Sequence, residues 1–371
     1  MNIVFAIKAL GIKGGGAERV LSDVASGLAA RGHTVTLISS DHEEVPPYYQ
    51  LDRSVRQIKL GLGDVAGKST LLDVIRRIVR FRRALSGIRP DVVVAFLNST
   101  YLPLGIALIG SPIPMIASEH IGPEHYRDRW VERCSLLLMP LLAVRITVVS
   151  QQILVSFGWW LRRKMVVVSN SLTAPIKRNS SEHEKGKGLT VTLLTVGRLV
   201  AQKNHVSLIS AFARIASRHP NWYLRIVGDG TLRSTLESQV RELGLAEQVM
   251  LVGAVADVSQ EYARADLFVM PSTYESIGLA TVEALLHGLP AVGFADCPGT
   301  NRVIKDNENG ILVTGANRIE SLAIALEKLM ADPQELQRLS SASTDWLRDM
   351  FDLDMVLDTW ERLIEKVVSL H

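Results

Sequence analysis

The sequence predicts an α/β protein of two doubly wound domains. Short apolar runs alternate with longer helical stretches, the alternation stops at a polar interval near the middle, and it then restarts with the same rhythm. A chain of 371 residues also exceeds what a single core usually holds. The hydrophobic fraction of 47% is ample for two cores.

In the first half, the apolar runs Ile3–Ile7, Val35–Ser39, Val92–Phe96, Pro114–Ser118 and Ile146–Val149 read as strands buried on both faces. The stretches Ala17–Ala30 and Leu71–Ile88 repeat apolar residues every three or four positions and read as crossover helices. Residues 173–188 include Lys177-Arg178-Asn179-Ser180-Ser181-Glu182-His183 and lack apolar periodicity, as a linker would. The second series has strands at Val191–Val196, Leu224–Val227, Val249–Val252, Leu267–Met270, Ala291–Phe294 and Ile311–Val313. Its helices include Val206–Ser217, Thr231–Leu243 and Thr281–His287. Ligands of such sheets bind beyond the carboxyl ends of the strands, so a cleft between two such domains is the expected site.

Composition narrows the function. Two cysteines, Cys134 and Cys297, give no disulfide framework and no zinc pattern. The leucine-rich run Ser135 to Val144 is shorter than the ~20 residues of a bilayer span, and the chain opens on a strand with no leader-like segment. The expected location is therefore the cytoplasm. Residues 1–180 carry 23 Lys/Arg against 13 Asp/Glu, while the remainder carries 18 against 25. The basic first half suggests an anionic partner there: a membrane surface, a pyrophosphate or a nucleic acid. No aromatic–basic interleaving or reader motif accompanies the arginines, so nucleic acid is not the expected partner.

Three strand-to-helix loops of the second half carry the chemistry. Gly197-Arg198 with Gln202-Lys203-Asn204 sets two cations at a strand end, which is either a solvated basic loop or the pair a departing diphosphate requires. Ile226-Val227-Gly228-Asp229-Gly230 is a turn whose glycines permit close backbone approach to a ligand, with Asp229 as ligand contact or turn residue. In the third loop, Glu275 follows a strand and Glu283 falls about one turn into the next helix. The amides of Gly278, Leu279, Ala280 and Thr281 between them form a helix start suited to an anion. Glu283 suits a ribose diol, and Glu275 could accept hydrogen bonds from sugar hydroxyls.

In order and spacing, these segments, together with Gly288-Leu289-Pro290 and Asn309-Gly310-Ile311-Leu312-Val313, resemble family four of the retaining glycosyltransferases. The resemblance covers the carboxyl-terminal half and implies the GT-B fold, two Rossmann-like doubly wound domains facing across a cleft. The carboxyl-terminal helix would cross back, so that 1–172 with 355–371 form the acceptor side and 189–354 bind the nucleotide sugar. It also implies Arg198 and Lys203 on the donor diphosphate, Glu283 on the ribose and Glu275 on the transferred sugar. One departure is Ser276-Ile277-Gly278, where many members carry a small–aromatic–glycine run, so a different donor-sugar fit beside Glu275 is expected.

The amino-terminal half extends this picture. Gly14-Gly15-Gly16-Ala17-Glu18-Arg19 lacks the third glycine of a dinucleotide fingerprint but resembles the family signature whose glycine amides, here Gly15 and Gly16, face the donor phosphates. Glu18 and Arg19 are either an exposed helix pair or direct contacts. His120 ends a strand where the family often has a histidine near the donor sugar, which implies a polar role rather than that of a general base. On the helix Leu71–Ile88, Leu71, Val74, Ile78, Phe81 and Leu85 make one buried face, and Arg76, Arg80 and Arg83, with Arg77 and Arg82 alongside, make a second stripe. That stripe is a solvated face, or a surface for lipid headgroups or pyrophosphate. Trp159, Trp160, Arg162 and Arg163 suit a membrane interface, with burial of one tryptophan as the alternative.

The expected activity is retaining transfer of a hexose or N-acetylhexosamine from a nucleotide diphosphate, UDP before GDP. The acceptor implied by similar bacterial enzymes is a lipid-diphosphate-linked glycan at the inner face of the plasma membrane. No metal or other cofactor is expected, because Asp352 and Asp354 sit before a carboxyl-terminal helix and read as caps. A non-catalytic sugar-binding protein, a sugar-nucleotide epimerase and a phosphorylase are the rival classes.

Overall fold

A computed structural model describes residues 1–11, 15–62, 70–126, 129–172, 190–255 and 257–370. The expected linker, 173–188, lies outside the described residues. The chain divides into two compact units, Met1–Thr173 with Met350–His371, and Ala174–Asp349.

The first unit holds a seven-stranded sheet with strands β1 (Asn2–Ile7), β2 (Thr34–Ser39), β3 (Arg56–Lys59), β4 (Val92–Phe96), β5 (Met115–Glu119), β6 (Arg145–Val148) and β7 (Met165–Val167). The order is β3-β2-β1-β4-β5-β6-β7, all parallel. Its helices are α1 (Gly16–Ala30), α2 (Leu71–Ile88), α3 (Asn98–Ala107), α4 (Trp130–Leu142), α5 (Gln151–Ser156) and α6 (Trp159–Arg162). The central strands are buried along their length, which is why they read as unbroken apolar runs. The sequence reading missed β3 and β7. The first is a short, half-exposed edge strand, Arg-Gln-Ile-Lys, and the second has only three residues.

The second unit holds β8 (Val191–Val196), β9 (Trp222–Val227), β10 (Val249–Gly253), β11 (Leu267–Met270), β12 (Ala291–Phe294) and β13 (Gly310–Val313). These run parallel in the order β10-β9-β8-β11-β12-β13. Helices α7 (His205–Ala213), α8 (Arg233–Glu242), α9 (Ser259–Arg264), α10 (Leu279–Leu286), α11 (Thr300–Val303), α12 (Arg318–Ala331) and α13 (Pro333–Ser340) accompany them. In both sheets the strand order reverses beside the first strand, the topology that opens a crevice at the strands' carboxyl ends.

Helix α14 (Asp345–Phe351) leads the chain back to the first unit, where α15 (Leu353–Val368) packs on α1. The return falls at Met350 rather than at 355. Phe351 is already buried there, and its carbonyl accepts from the Leu172 amide at 2.9 Å. Trp360 fills the core against Phe5 and Phe96, with ring centroids 6.3 and 6.2 Å away. Arg31 pairs with Asp354, Asp358 and Glu361 at 2.9, 2.6 and 2.7 Å. Asp352 caps α15 by accepting from the Met355 amide, whereas Asp354 is an ion-pair partner rather than a cap.

Candidate active site

In the second unit, the loop after β8 is latched to the loop after β11. Gln202 Nε2 donates to the Tyr274 carbonyl at 2.7 Å, the Thr273 amide to the Gln202 carbonyl at 2.9 Å, and Asn204 Nδ2 to the Pro271 carbonyl at 3.3 Å. The latch brings Lys203 Nζ to 2.6 Å from Glu275 Oε1, with side-chain exposures of only 15% and 9%. Ser272 Oγ donates to the same oxygen at 2.6 Å. Lys203 is thus paired with the carboxylate that sequence reasoning assigned to the sugar, while Arg198 is exposed and makes no ion pair among the described residues.

Behind Glu275, Gly278 caps α10 in the left-handed region with φ 77°, a geometry that glycine adopts at little cost. A Cβ placed there would stand 3.6 Å from Glu275 Cγ, so the carboxylate adjoins the helix start. The Leu279 and Ala280 amides have no acceptor among the described residues, but the Thr281 amide donates to the Gly278 carbonyl at 2.8 Å. Thr281 therefore leaves the set of open amides, because the first turn closes on itself. One turn on, Glu283 is half-buried and its Oε2 accepts from Tyr262 Oη at 2.8 Å. Tyr262, which rests on His287 at 5.1 Å, was invisible to the motif reading because it comes from α9, outside every motif.

The glycine turn after β9 packs closely on a neighbouring loop. At Gly228, φ is 138° and a Cβ would lie 2.0 Å from the Gly197 carbonyl oxygen; at Gly230 one would lie 2.5 Å from that of Leu199. The backbone approached here is the loop carrying Arg198. Gly228 acts as the floor of that loop, which is tied down by Leu199 N to Asp229 O and Leu232 N to Leu199 O, both 2.9 Å.

In the first unit, Gly15 is the N-cap of α1 and Gly16 its exposed first residue. A Cβ on Gly15 would meet Glu18 Oε2 at 2.0 Å, so the buried Glu18 carboxylate folds back over the helix start. Of the two alternatives for Glu18, its burial removes the exposed helix pair. His120 lies beyond β5, stacked on Phe96 at 5.0 Å. Thr147 Oγ1 donates to Ser118 Oγ at 2.8 Å, and Ser118 Oγ lies 3.0 Å from His120 Nε2. Burial, partly opposed by Asn170, lowers the imidazole pKa to about 4, so the ring is neutral near pH 7.

Glu119, on the opposite face of β5, was not singled out from the sequence. It is fully buried, held by Tyr101 Oη at 3.0 Å, Tyr126 Oη at 3.2 Å and the Ile121 amide at 3.0 Å. Burial outweighs these hydrogen bonds and pushes its pKa from 4.5 up to about 7. The folded state then holds its proton more tightly than the unfolded chain. Its stabilising contribution is complete below pH 4.5 and is lost as the pH rises through 7.

The arginine stripe of α2 is partly structural. Arg77 is buried and donates to the Ser99 carbonyl at 3.1 Å, tying α2 to α3. Arg80 donates to the Leu60 and Gly61 carbonyls. Arg76 and Arg83 stay exposed, the former 3.7 Å from Asp73. The apolar face is also shorter than its periodicity implied. Phe81 and Leu85 are buried, Val74 and Ile78 are half-buried, and Leu71, in the first turn, is 77% exposed. Neither tryptophan of α6 enters the core. Trp159 and Trp160 are both exposed, as are Arg162 and Arg163, and the Arg163 guanidinium lies 5.9 Å from the Trp159 ring centroid.

Comparison with known proteins agrees with the two-domain α/β fold. Residues 14–172 match the family described as Glycosyltransferase Family 4, and residues 176–346 match Glycosyl transferases group 1. The chain is 27% identical, over 99% of both chains, to a Campylobacter jejuni GalNAc-alpha-(1->4)-GalNAc-alpha-(1->3)-diNAcBac-PP-undecaprenol alpha-1,4-N-acetyl-D-galactosaminyltransferase. Among solved structures it resembles sucrose-phosphate synthase from Thermosynechococcus elongatus, with TM-score 0.83, 19% identity and all of both chains covered. It also resembles Anabaena HepE in complex with UDP and glucose, with TM-score 0.78, 21% identity, 98% of this chain and 99% of that one. The fold is GT-B.

Proposed function

We propose, for a chain that belongs to the two-domain glycosyltransferases of polysaccharide and lipopolysaccharide biosynthesis, a retaining transfer of a hexosyl or N-acetylhexosaminyl group from a nucleotide diphosphate to a lipid-diphosphate-linked glycan. One observation carries this reading: the Lys203–Glu275 pair adjoins the open amides of Leu279 and Ala280. A cation and two backbone donors suit a departing diphosphate, and the carboxylate beside them suits sugar hydroxyls. Arg198, exposed on the same loop as Lys203, is the second cation, and Glu283, steadied by Tyr262, receives the ribose diol.

In this mechanism Lys203, Arg198 and the helix-start amides stabilise the leaving diphosphate, so no metal is required. The acceptor hydroxyl attacks from the face the leaving group departs, and a phosphate oxygen of that group takes its proton. Glu275 orients the sugar, and neutral His120 contributes a polar contact. UDP is the preferred nucleotide and GDP the second, a choice supported by the UDP-bound relative. The undecaprenol-linked substrate in the Campylobacter relative's name supports the acceptor class, and the exposed Arg76, Arg83, Arg162 and Arg163 suit an anionic membrane surface. The enzyme then works in the cytoplasm, peripheral to the inner face of the plasma membrane.

A donor screen by nucleotide release, with a lipid-diphosphate glycan as acceptor and Glu275→Ala as control, tests the reaction. Release of UDP that requires acceptor is expected, and activity with added chelator should be unchanged. An inverted anomeric centre in the first-formed product would end the mechanism.

A further inference from the structure

Helix α4 is built inside out. Its inner side buries Leu136 and Met139 and the helix packs on α3, with Ser135 Oγ donating to Asn98 Oδ1 and Asn98 Nδ2 donating to the Glu132 carbonyl at 3.0 Å. Its far end is fixed by Lys164 Nζ, which donates to the Pro140 and Ala143 carbonyls at 2.6 and 2.9 Å. Trp160 Nε1 of α6 donates to the Leu137 carbonyl at 3.2 Å. The helix is therefore held firmly, yet its outer side is apolar. Trp130, Leu137 and Leu141 are 75%, 57% and 68% exposed, and Val131 and Leu138 are exposed beside them. A solvated helix ordinarily places polar residues there.

Among the described residues, the exposed charges near this stripe are arginines. Arg129 and Arg133 stand close to Trp130 in the chain, and Arg162 and Arg163 lie at the end of α6, which adjoins α4; all four are exposed. Glu132 is the sole acid in the sequence of the two helices. Leucine side chains fringed by tryptophan and arginine match the acyl–headgroup boundary of an anionic bilayer, where apolar bodies sink and guanidinium groups meet phosphate. We propose that α4 is the segment that inserts, lying flat in the outer part of an anionic lipid leaflet, with α6 beside it. This rests on the peripheral-membrane reading above and names the element that bears it. It does not depend on the transfer reaction.

The full chain is tested for co-flotation with phosphatidylcholine vesicles with and without phosphatidylglycerol. Binding is expected with the anionic vesicles. Leu137→Ser with Leu141→Ser should weaken it by about tenfold for each leucine, with far-UV circular dichroism unchanged because both side chains face solvent. Brominated lipid should quench a tryptophan signal that Trp130→Phe removes. If the native protein binds and the double variant binds equally, α4 is not the inserting element and the inference fails while the membrane reading stands. If the native protein ignores anionic vesicles, both fail. A native dimer that the double variant dissociates, without vesicle binding, assigns the stripe to a second copy and overturns the proposal.

Discussion

Replacing Glu275 by glutamine tests the core of the site with two readouts of opposite sign. The substitution keeps the volume and the acceptor for Ser272, but leaves the Lys203 ammonium, 85% removed from solvent, without its countercharge at 2.6 Å. Breaking a fully buried pair costs about 3–5 kcal/mol; with the remaining solvent access here, about 2 kcal/mol is expected. A double-mutant cycle with Lys203→Met, read by thermal or urea unfolding of the second unit, should return a coupling of about 1–3 kcal/mol. If Lys203 serves the donor diphosphate, it must exchange Glu275 for phosphate, and Glu275→Gln removes that competition. Free UDP should then bind up to about tenfold tighter by calorimetry, while sugar transfer falls by about two orders of magnitude. Weaker UDP binding in Glu275→Gln, or unchanged binding in Lys203→Met, would refute the reasoning.

Other perturbations probe the frame around the site. Glu119→Gln should raise stability at pH 8 by up to about 3 kcal/mol, since the carboxyl is pushed from 4.5 to about 7, and the two proteins should converge below pH 4.5. Superimposable pH profiles of thermal unfolding would contradict the buried-carboxyl account. His120 titrates in the opposite sense: its folded pKa of about 4 makes it lose stability as pH falls from 6.5, so a neutral replacement should flatten that acid limb. Gly228→Ala forces a Cβ to 2.0 Å from the Gly197 carbonyl at φ 138° and should cost at least about 2 kcal/mol and weaken UDP binding through the displaced Arg198 loop; an unshifted unfolding midpoint tells against it. Trp360→Ala should cost the first unit about 3–5 kcal/mol, read by its own unfolding transition.

The strands of both sheets were legible because a parallel strand covered on each face must be apolar throughout, as Val92–Phe96 and Leu267–Met270 are. Arg56–Lys59 was not, because an edge strand needs no such run and takes its shape from its neighbour. Helix periodicity fixed the existence and ends of α2, yet a repeat of 3.6 does not say which rows find a neighbour. Arg77 is consequently buried and Leu71 exposed.

At the candidate site, the residue types at the strand ends were readable along the chain: two cations after β8, two carboxylates eight positions apart around the start of α10. Local order along the chain suffices for that, since strand, turn and helix are set by near neighbours. The partnerships emerged on folding: Lys203 with Glu275, Tyr262 with Glu283, the Gly228 turn against Gly197, and Glu119 between two tyrosines. Each joins segments whose proximity the folded sheets and helices create, and their hydrogen bonds and charges act over a few ångströms of space, irrespective of separation along the chain.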